Sequence, residues 1–205
     1  MKFEWQGRLI GVQPRIRLTR SFDQRQHTYL GYVIIVDGIV DDNRGLFRIG
    51  IGKGAQSKYQ FQSSDRVSGL CEPAANPDME PADYYKVSKI KLMARGTISN
   101  PPPWTGPADD LDIYRERGHR RLSRKTYETK CLACKWGCRM AVEMITDQWN
   151  PDKRRFRTET FCYGPKSCLL YKAGPIRKVP GRHGMIWEEE DWIDEQETMH
   201  RGPED

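Results

Sequence analysis

The sequence predicts a mainly β protein in two parts, and three observations carry that prediction. Residues 2–94 hold six short runs rich in β-branched and aromatic residues, separated by Gly, Asp, Asn and Pro. A triple proline, Pro101-Pro102-Pro103, then breaks the chain where neither a helix nor a central strand can continue. Beyond it, Cys131, Cys134, Cys138, Cys162 and Cys168 crowd a short stretch of a chain whose sixth cysteine is Cys71.

FEWQGRLIGV and RIRLTR read as one strand, long or broken near Pro14. TYLGYVIIV and GLFRIGIG follow, the second alternating at Phe47, Ile49 and Ile51. Gly52 to Tyr59 is not strand-like and suits a short helical connection. DRVSGLCE and YYKVSKIKLM complete the set, with apolar and cationic residues alternating from Lys86 to Leu92. Three strands, a helical link and two strands resemble in pattern the OB-type small β-barrel. Gly50-Ile51-Gly52-Lys53-Gly54 is no phosphate loop, because Phe47 and Gly54 stand where that motif needs Gly and Ser or Thr.

The expected organisation is therefore an OB-like β-barrel over 1–96, a proline-rich linker over 97–110, a basic helix plus a Cys-rich metal-binding module over 111–184, and an acidic tail over 185–205. Residues 109–125 read as a short helix interrupted by Gly118, with acids at its start and bases at its end, as the helix dipole favours. Charge separates the tail from the rest. Residues 1–184 carry 33 Lys and Arg against 19 Asp and Glu, whereas residues 185–205 carry nine acids and one base. A basic body attracts phosphates through its long-range field and by counterion release. The tail reads first as a disordered or loosely docked solubilising end; the alternative is a fold-back onto the body anchored by Trp187, Trp192 and Ile193.

The cysteine spacing is C-x2-C-x3-C-x23-C-x5-C. Met140–Trp149 and Arg154–Tyr163 read as strands, and Asn150-Pro151-Asp152-Lys153 as a four-residue turn between them. Pairing Trp149 with Arg154 sets Ala141 opposite Cys162 and gathers the thiols at the open end of the hairpin. Cys131-x2-Cys134 followed by Lys135-Trp136-Gly137 resembles a zinc knuckle. With the hairpin it resembles a zinc-ribbon or treble-clef module, although the second pair is C-x5-C and a fifth cysteine is present. Tetrahedral zinc takes four ligands; the preferred set is Cys131, Cys134, Cys162 and Cys168, with Cys138 spare or replacing Cys162. A [4Fe–4S] cluster is the alternative cofactor. His119 and His183 are further candidates to replace one cysteine, and Cys71 reads as a buried apolar thiol.

No H-x-E with P-C-x-x-C, no H-E-x-x-H and no G-x-S-x-G occurs. With cysteine ligands and no such base, the site reads as closed and structural, and no catalytic residue is assigned. Lys153, Arg154, Arg155, Arg157, Lys166, Lys172, Arg177 and Lys178 form a basic stretch interleaved with Phe156 and Phe161. Cations that follow a backbone and aromatics that stack on bases suit single-stranded or structured RNA or DNA. Tyr29, Tyr32, Phe47 and Tyr59 are further stacking candidates, with core packing the alternative for each. The expectation is a metal-stabilised, non-catalytic nucleic-acid-binding protein. An iron–sulfur electron carrier or redox-complex subunit and a protein-interaction adaptor are the rivals. Without a secretory signal or an apolar stretch of spanning length, a cytoplasmic location and no membrane partner are expected.

Overall fold

The first strand organises the molecule. In the computed structural model, which describes residues 1–21, 24–97 and 101–205, β1 (Phe3–Arg20) is one 18-residue strand. One edge pairs antiparallel with β2 (Arg25–Val40) from Trp5↔Val40 to Arg20↔Arg25. The other edge is shared. Phe3 to Arg8 pair antiparallel with β4 (Arg66–Pro73), and Arg17 to Arg20 pair parallel with β7 (Gly137–Ile145). Pro14 falls between those two stretches, flanked by register shifts at Leu9/Gly11 and Arg15/Ile16. The strand thus carries a proline because, among the described residues, that part of its second edge has no strand beside it.

β2 continues antiparallel into β3 (Asn43–Ile51), and α1 (Lys53–Tyr59) forms the short helical link that the sequence suggests. β4 pairs antiparallel with β5 (Tyr84–Ala94). β5 meets β3 at a single parallel pair, Ile49↔Tyr84, so the sheet curls back on itself and closes only partly. The alternation expected from Lys86 to Leu92 is interrupted. Lys86 and Lys89 adopt positive φ, and the ladder with β4 slips beside them, so both side chains stay in solvent while Val87, Ile90 and Leu92 pack on the core.

Residues on both sides of the triple proline share one core. Trp5, Leu9, Ile34, Phe61 and Val67 pack in the same cluster as Ala108, Leu111, Met140, Val142 and Phe161. Ile98–Asn100, at the start of the expected linker, lie outside the described residues. After them, Pro103–Thr105 forms a 3-10 turn whose Thr105 carbonyl accepts from Ser63 N at 3.4 Å. α2 (Leu111–Arg117) stops at Gly118, the interruption the sequence suggests, but the helix expected over 109–125 does not resume directly beyond it. Gly118 has φ +66, and a Cβ there would lie 2.3 Å from the Glu197 carbonyl oxygen, so this close approach requires glycine. β6 (Arg120–Arg121) and α3 (Arg124–Lys130) then lead to the cysteines.

The hairpin forms, but in another register. β7 pairs with β8 (Arg154–Cys162) from Gly137↔Cys162 to Ile145↔Arg154, so Ala141 faces Thr158, not Cys162. The strand ends at Ile145 instead of Trp149 because Thr146–Lys153 satisfies its own polar groups. Asp147 Oδ1 accepts from Trp149 N at 3.1 Å, Thr146 N donates to Lys153 O at 3.1 Å and Lys153 N to Asn150 O at 3.0 Å. The shift is an even number of residues, so inward and outward faces are unchanged.

The acidic end is not a loose tail. β10 (Ile186–Glu189) pairs with β9 (Arg177–Pro180), and α4 (Asp191–Thr198) follows. Of the expected anchors only Ile193 is buried; Trp187 and Trp192 remain exposed. Ion pairs hold this segment instead. Glu189 meets Arg20 at 3.0 Å, Asp194 meets Arg121 at 3.0 Å, and Asp191 also pairs with Arg121. Arg20 and Arg121 are each only 1% exposed; Arg121 depends on the acidic segment for its carboxylate partners, and Arg20 divides its charge between Glu189 and Glu159 of β8 at 3.4 Å. Among the described residues no helix is long and apolar enough to cross a membrane.

Candidate metal centre and basic surfaces

Four thiols are carried by two short stretches that β1 and the hairpin bring together. Cys131 caps the C-terminus of α3, Cys134 lies in the turn before β7, Cys162 ends β8, and Cys168 lies in the loop beyond. The Gly137↔Cys162 pairing sets the turn beside the end of β8. Cys131 and Cys162 are buried in one small cluster with Leu122 and Tyr127, and Cys134 packs against it.

The four are electrostatic neighbours. Burial first, then Cys162 and Cys168, push the Cys131 thiol up to about 12. Burial likewise pushes Cys134 up to about 12, with Cys162 and Cys131 adding to it. Cys162 is raised by burial and, more weakly, by Cys168. Cys138 lies apart: it is fully buried in the main core, donates to the Pro14 carbonyl at 3.5 Å, and is raised by desolvation alone. Backbone N–H groups point at two of the sulfurs. Gly164 N lies 3.4 Å from Cys162 Sγ, and Trp136 and Gly137 N–H groups face Cys134. Donors of this kind favour thiolate over thiol.

Both stretches are held from outside. Gln13 of β1, 2% exposed, donates to the carbonyls of Cys131 at 2.8 Å and Cys134 at 3.0 Å and accepts from the Tyr127 hydroxyl at 2.7 Å. A Cβ on Gly11 would come within 2.3 Å of the Leu132 carbonyl oxygen, so glycine lets this turn lie directly on β1. The loop after Cys162 is pinned by three arginines: Arg117 to Tyr163 O at 2.7 Å, Arg120 to Pro165 O at 2.9 Å, and Arg201 to the Tyr163 and Gly164 carbonyls at 3.1 Å. Sequence reasoning missed Gln13 and Gly11 because nothing local ties β1 to a turn some 120 positions away. Among the described residues, no group of three or more His, Cys, Asp or Glu stands arranged to hold a metal ion. The thiols are neighbours, not a drawn-together tetrahedron.

The histidines take other places. His119 is buried edge-on against Phe161 at 4.4 Å and His27 at 4.9 Å, and His183 lies in the turn Arg182–Gly184. Cys71 is a buried thiol of the core, as expected.

The basic stretch divides into exposed and engaged members. Lys153, Arg154, Arg155, Lys172 and Lys178 are exposed, as are Trp149 at 83% and Phe156 at 36%. Arg154 nevertheless pairs with Glu143, and Lys178 with Glu188 at 3.1 Å. Lys166 is half-buried and donates to the Arg201 carbonyl at 3.1 Å. Arg157 binds Glu159 and the Lys178 carbonyl. Arg177 lies in the interior, paired with Glu159 and stacked on Phe161 at 4.2 Å, so it offers no charge to the outer surface. Of the other stacking candidates, Tyr32 is buried, and Tyr29, Phe47 and Tyr59 pack against the core. No protein family, curated protein or solved structure matches the chain.

Proposed function

We propose that this protein binds single-stranded or structured nucleic acid without catalysing a reaction on it, and that a zinc ion held by Cys131, Cys134, Cys162 and Cys168 stabilises the binding module. The observation that carries the first half is the outer end of the β7–β8 hairpin. There Trp149, Lys153, Arg155 and Phe156 are all exposed at one end of the hairpin, on a body with a large excess of cations. Exposed aromatic faces and mobile cations are what a stacked, charged strand requires. The strand circuit β1–β2–β3–β5–β4–β1, with α1 between β3 and β4, supports an OB-like reading of the first part. The knuckle-like N–H groups on Cys134 and Cys162 support the zinc reading, because four thiolates close a structural site.

Fluorescence anisotropy with labelled single-stranded DNA and RNA tests the binding. The logarithm of the association constant should fall linearly with log salt, by about 0.7 per phosphate contact. Absence of salt-dependent binding to either polymer overturns the reading in favour of a protein-interaction adaptor. Elemental analysis of anaerobically purified protein tests the cofactor. Zinc is expected, lost in Cys134→Ser and Cys162→Ser and kept in Cys138→Ser. Iron with acid-labile sulfide and visible absorption would replace zinc by the iron–sulfur alternative, and metal-free wild type would remove both.

A further inference from the structure

A groove of about 420 Å³ runs between β3, α3, the β7–β8 pair and β9. Arg48, Arg124, Arg139, Arg157, Arg177 and Lys178 line it, against only Glu128 and Glu159. Both carboxylates are already engaged, Glu128 by Arg124 at 2.8 Å and Glu159 by Arg20, Arg157 and Arg177. Asp83 influences Arg139 from one side, but among the described residues no carboxylate lies within ion-pair distance of the Arg48 or Arg139 side chain. Two donors have no acceptor: Arg48 Nε and Arg157 Nη2 are buried nitrogens without a hydrogen-bond partner among the described residues. Buried donors of this kind call for a partner that the protein itself does not provide.

The geometry points to a phosphate site in this groove: phosphate oxygens accept from Arg48, with Arg139 and Arg124 neutralising the charge, while Arg157, on the other face of β8, meets a neighbouring phosphate of the same ligand. Planar guanidinium groups match phosphate geometry with paired donors. Crowded cations support the assignment, since burial and the nearby Arg48 and Arg124 lower the pKa of Arg139. A phosphodiester backbone is the source we assign, and this choice rests on the nucleic-acid reading above. Arg155 and Arg157 share one face of β8, so a row of cations leads from the groove towards the exposed hairpin end.

The test uses the full chain and three probes: labelled oligo-dT, labelled oligo-U and inorganic pyrophosphate. The variants are Arg139→Gln, Arg48→Gln and, because those residues are half-buried, the exposed Arg124→Gln; Lys86→Gln on β5 is the control. Arg139→Gln and Arg124→Gln should each weaken oligonucleotide binding several-fold and lower the salt slope by about 1, with the control unchanged. Circular dichroism and thermal melting verify that each variant is folded. If wild type binds the oligonucleotides and none of the folded groove variants changes affinity or slope, the groove proposal is overturned while the nucleic-acid reading stands. If wild type ignores both oligonucleotides but pyrophosphate raises its melting temperature, and Arg139→Gln abolishes that rise, the phosphate site stands and its source is a free phosphate compound. If wild type binds neither oligonucleotide and pyrophosphate leaves its melting temperature unchanged, both readings are overturned.

Discussion

Gln13 is the residue on which the thiol turn depends most directly. It is buried, and its amide joins β1 to the Cys131, Leu132 and Cys134 carbonyls of the thiol turn and to the Tyr127 hydroxyl. Gln13→Leu keeps the volume but leaves those polar groups without partners. A loss of about 2–4 kcal/mol is expected, because each unsatisfied buried group costs roughly 1–3 kcal/mol. Urea unfolding measures it, and a change within error would show that the turn is held without this amide. Half-buried His27 and buried His119 govern a different property. Desolvation, then Arg25 and Arg20, hold His27 down to about 4, and burial holds His119 well below its ordinary value. Between pH 6.5 and about 4 the unfolded chain therefore binds more protons than the folded one. Stability from these rings is present above about pH 6.5 and is lost as pH falls towards 4. Urea midpoints between pH 7 and 4 should drop, and His27→Gln should flatten that drop; an unchanged slope would sink the attribution to His27. The cysteine spacing announced the thiols, but not the amide that orders them, because a lone Gln in a strand-like run carries no sign of its partner.

At the scale of elements, the hairpin shows what local chemistry predicts and where it stops. Two strands around an Asn-Pro-Asp turn were legible from β-branched residues and turn formers. The register was not, because Asp147 and Thr146 begin closing the loop before the turn formers are reached. The outcome matters for the site: Gly137, not Ala141, stands opposite Cys162, and this sets Cys162 beside the Cys134 turn. The longer loop also leaves Trp149 projecting instead of paired. Trp149→Ala should then change folding stability by less than about 0.5 kcal/mol, as exposed substitutions generally do. The same variant should weaken single-strand binding by about 1–3 kcal/mol if the indole is a stacking platform. Melting and anisotropy on one preparation read both quantities. Equal binding by wild type and variant would remove Trp149 from the interface.

At the scale of the molecule, the mainly β class was readable, but the way its parts join was not. The parallel pairing of Arg17–Arg20 with Ala141–Met144 unites residues more than 120 positions apart, and no periodicity encodes such a partnership. The same holds for the acidic end. Its composition suggested a solvated tail, yet its carboxylates neutralise cations on β1 and β6 that are shut away from water. An acidic run is solvated only when no buried cation needs it, and Arg20 and Arg121 are not identifiable as buried from the sequence alone. Truncation after Gly184 makes the difference measurable. It removes Glu189, Asp191 and Asp194 together, leaving Arg20 and Arg121 without those partners and β9 without β10. Removing one member of a buried pair costs about 3–5 kcal/mol, so the truncated chain should lose at least that much stability, a large share of what a domain has. Glu189→Gln in the full chain is the milder form, keeping the shape while removing the charge that faces Arg20 and Arg25. It should lower the urea midpoint clearly. A truncated chain that melts like wild type would instead return the segment to the role of a dispensable, solvated end.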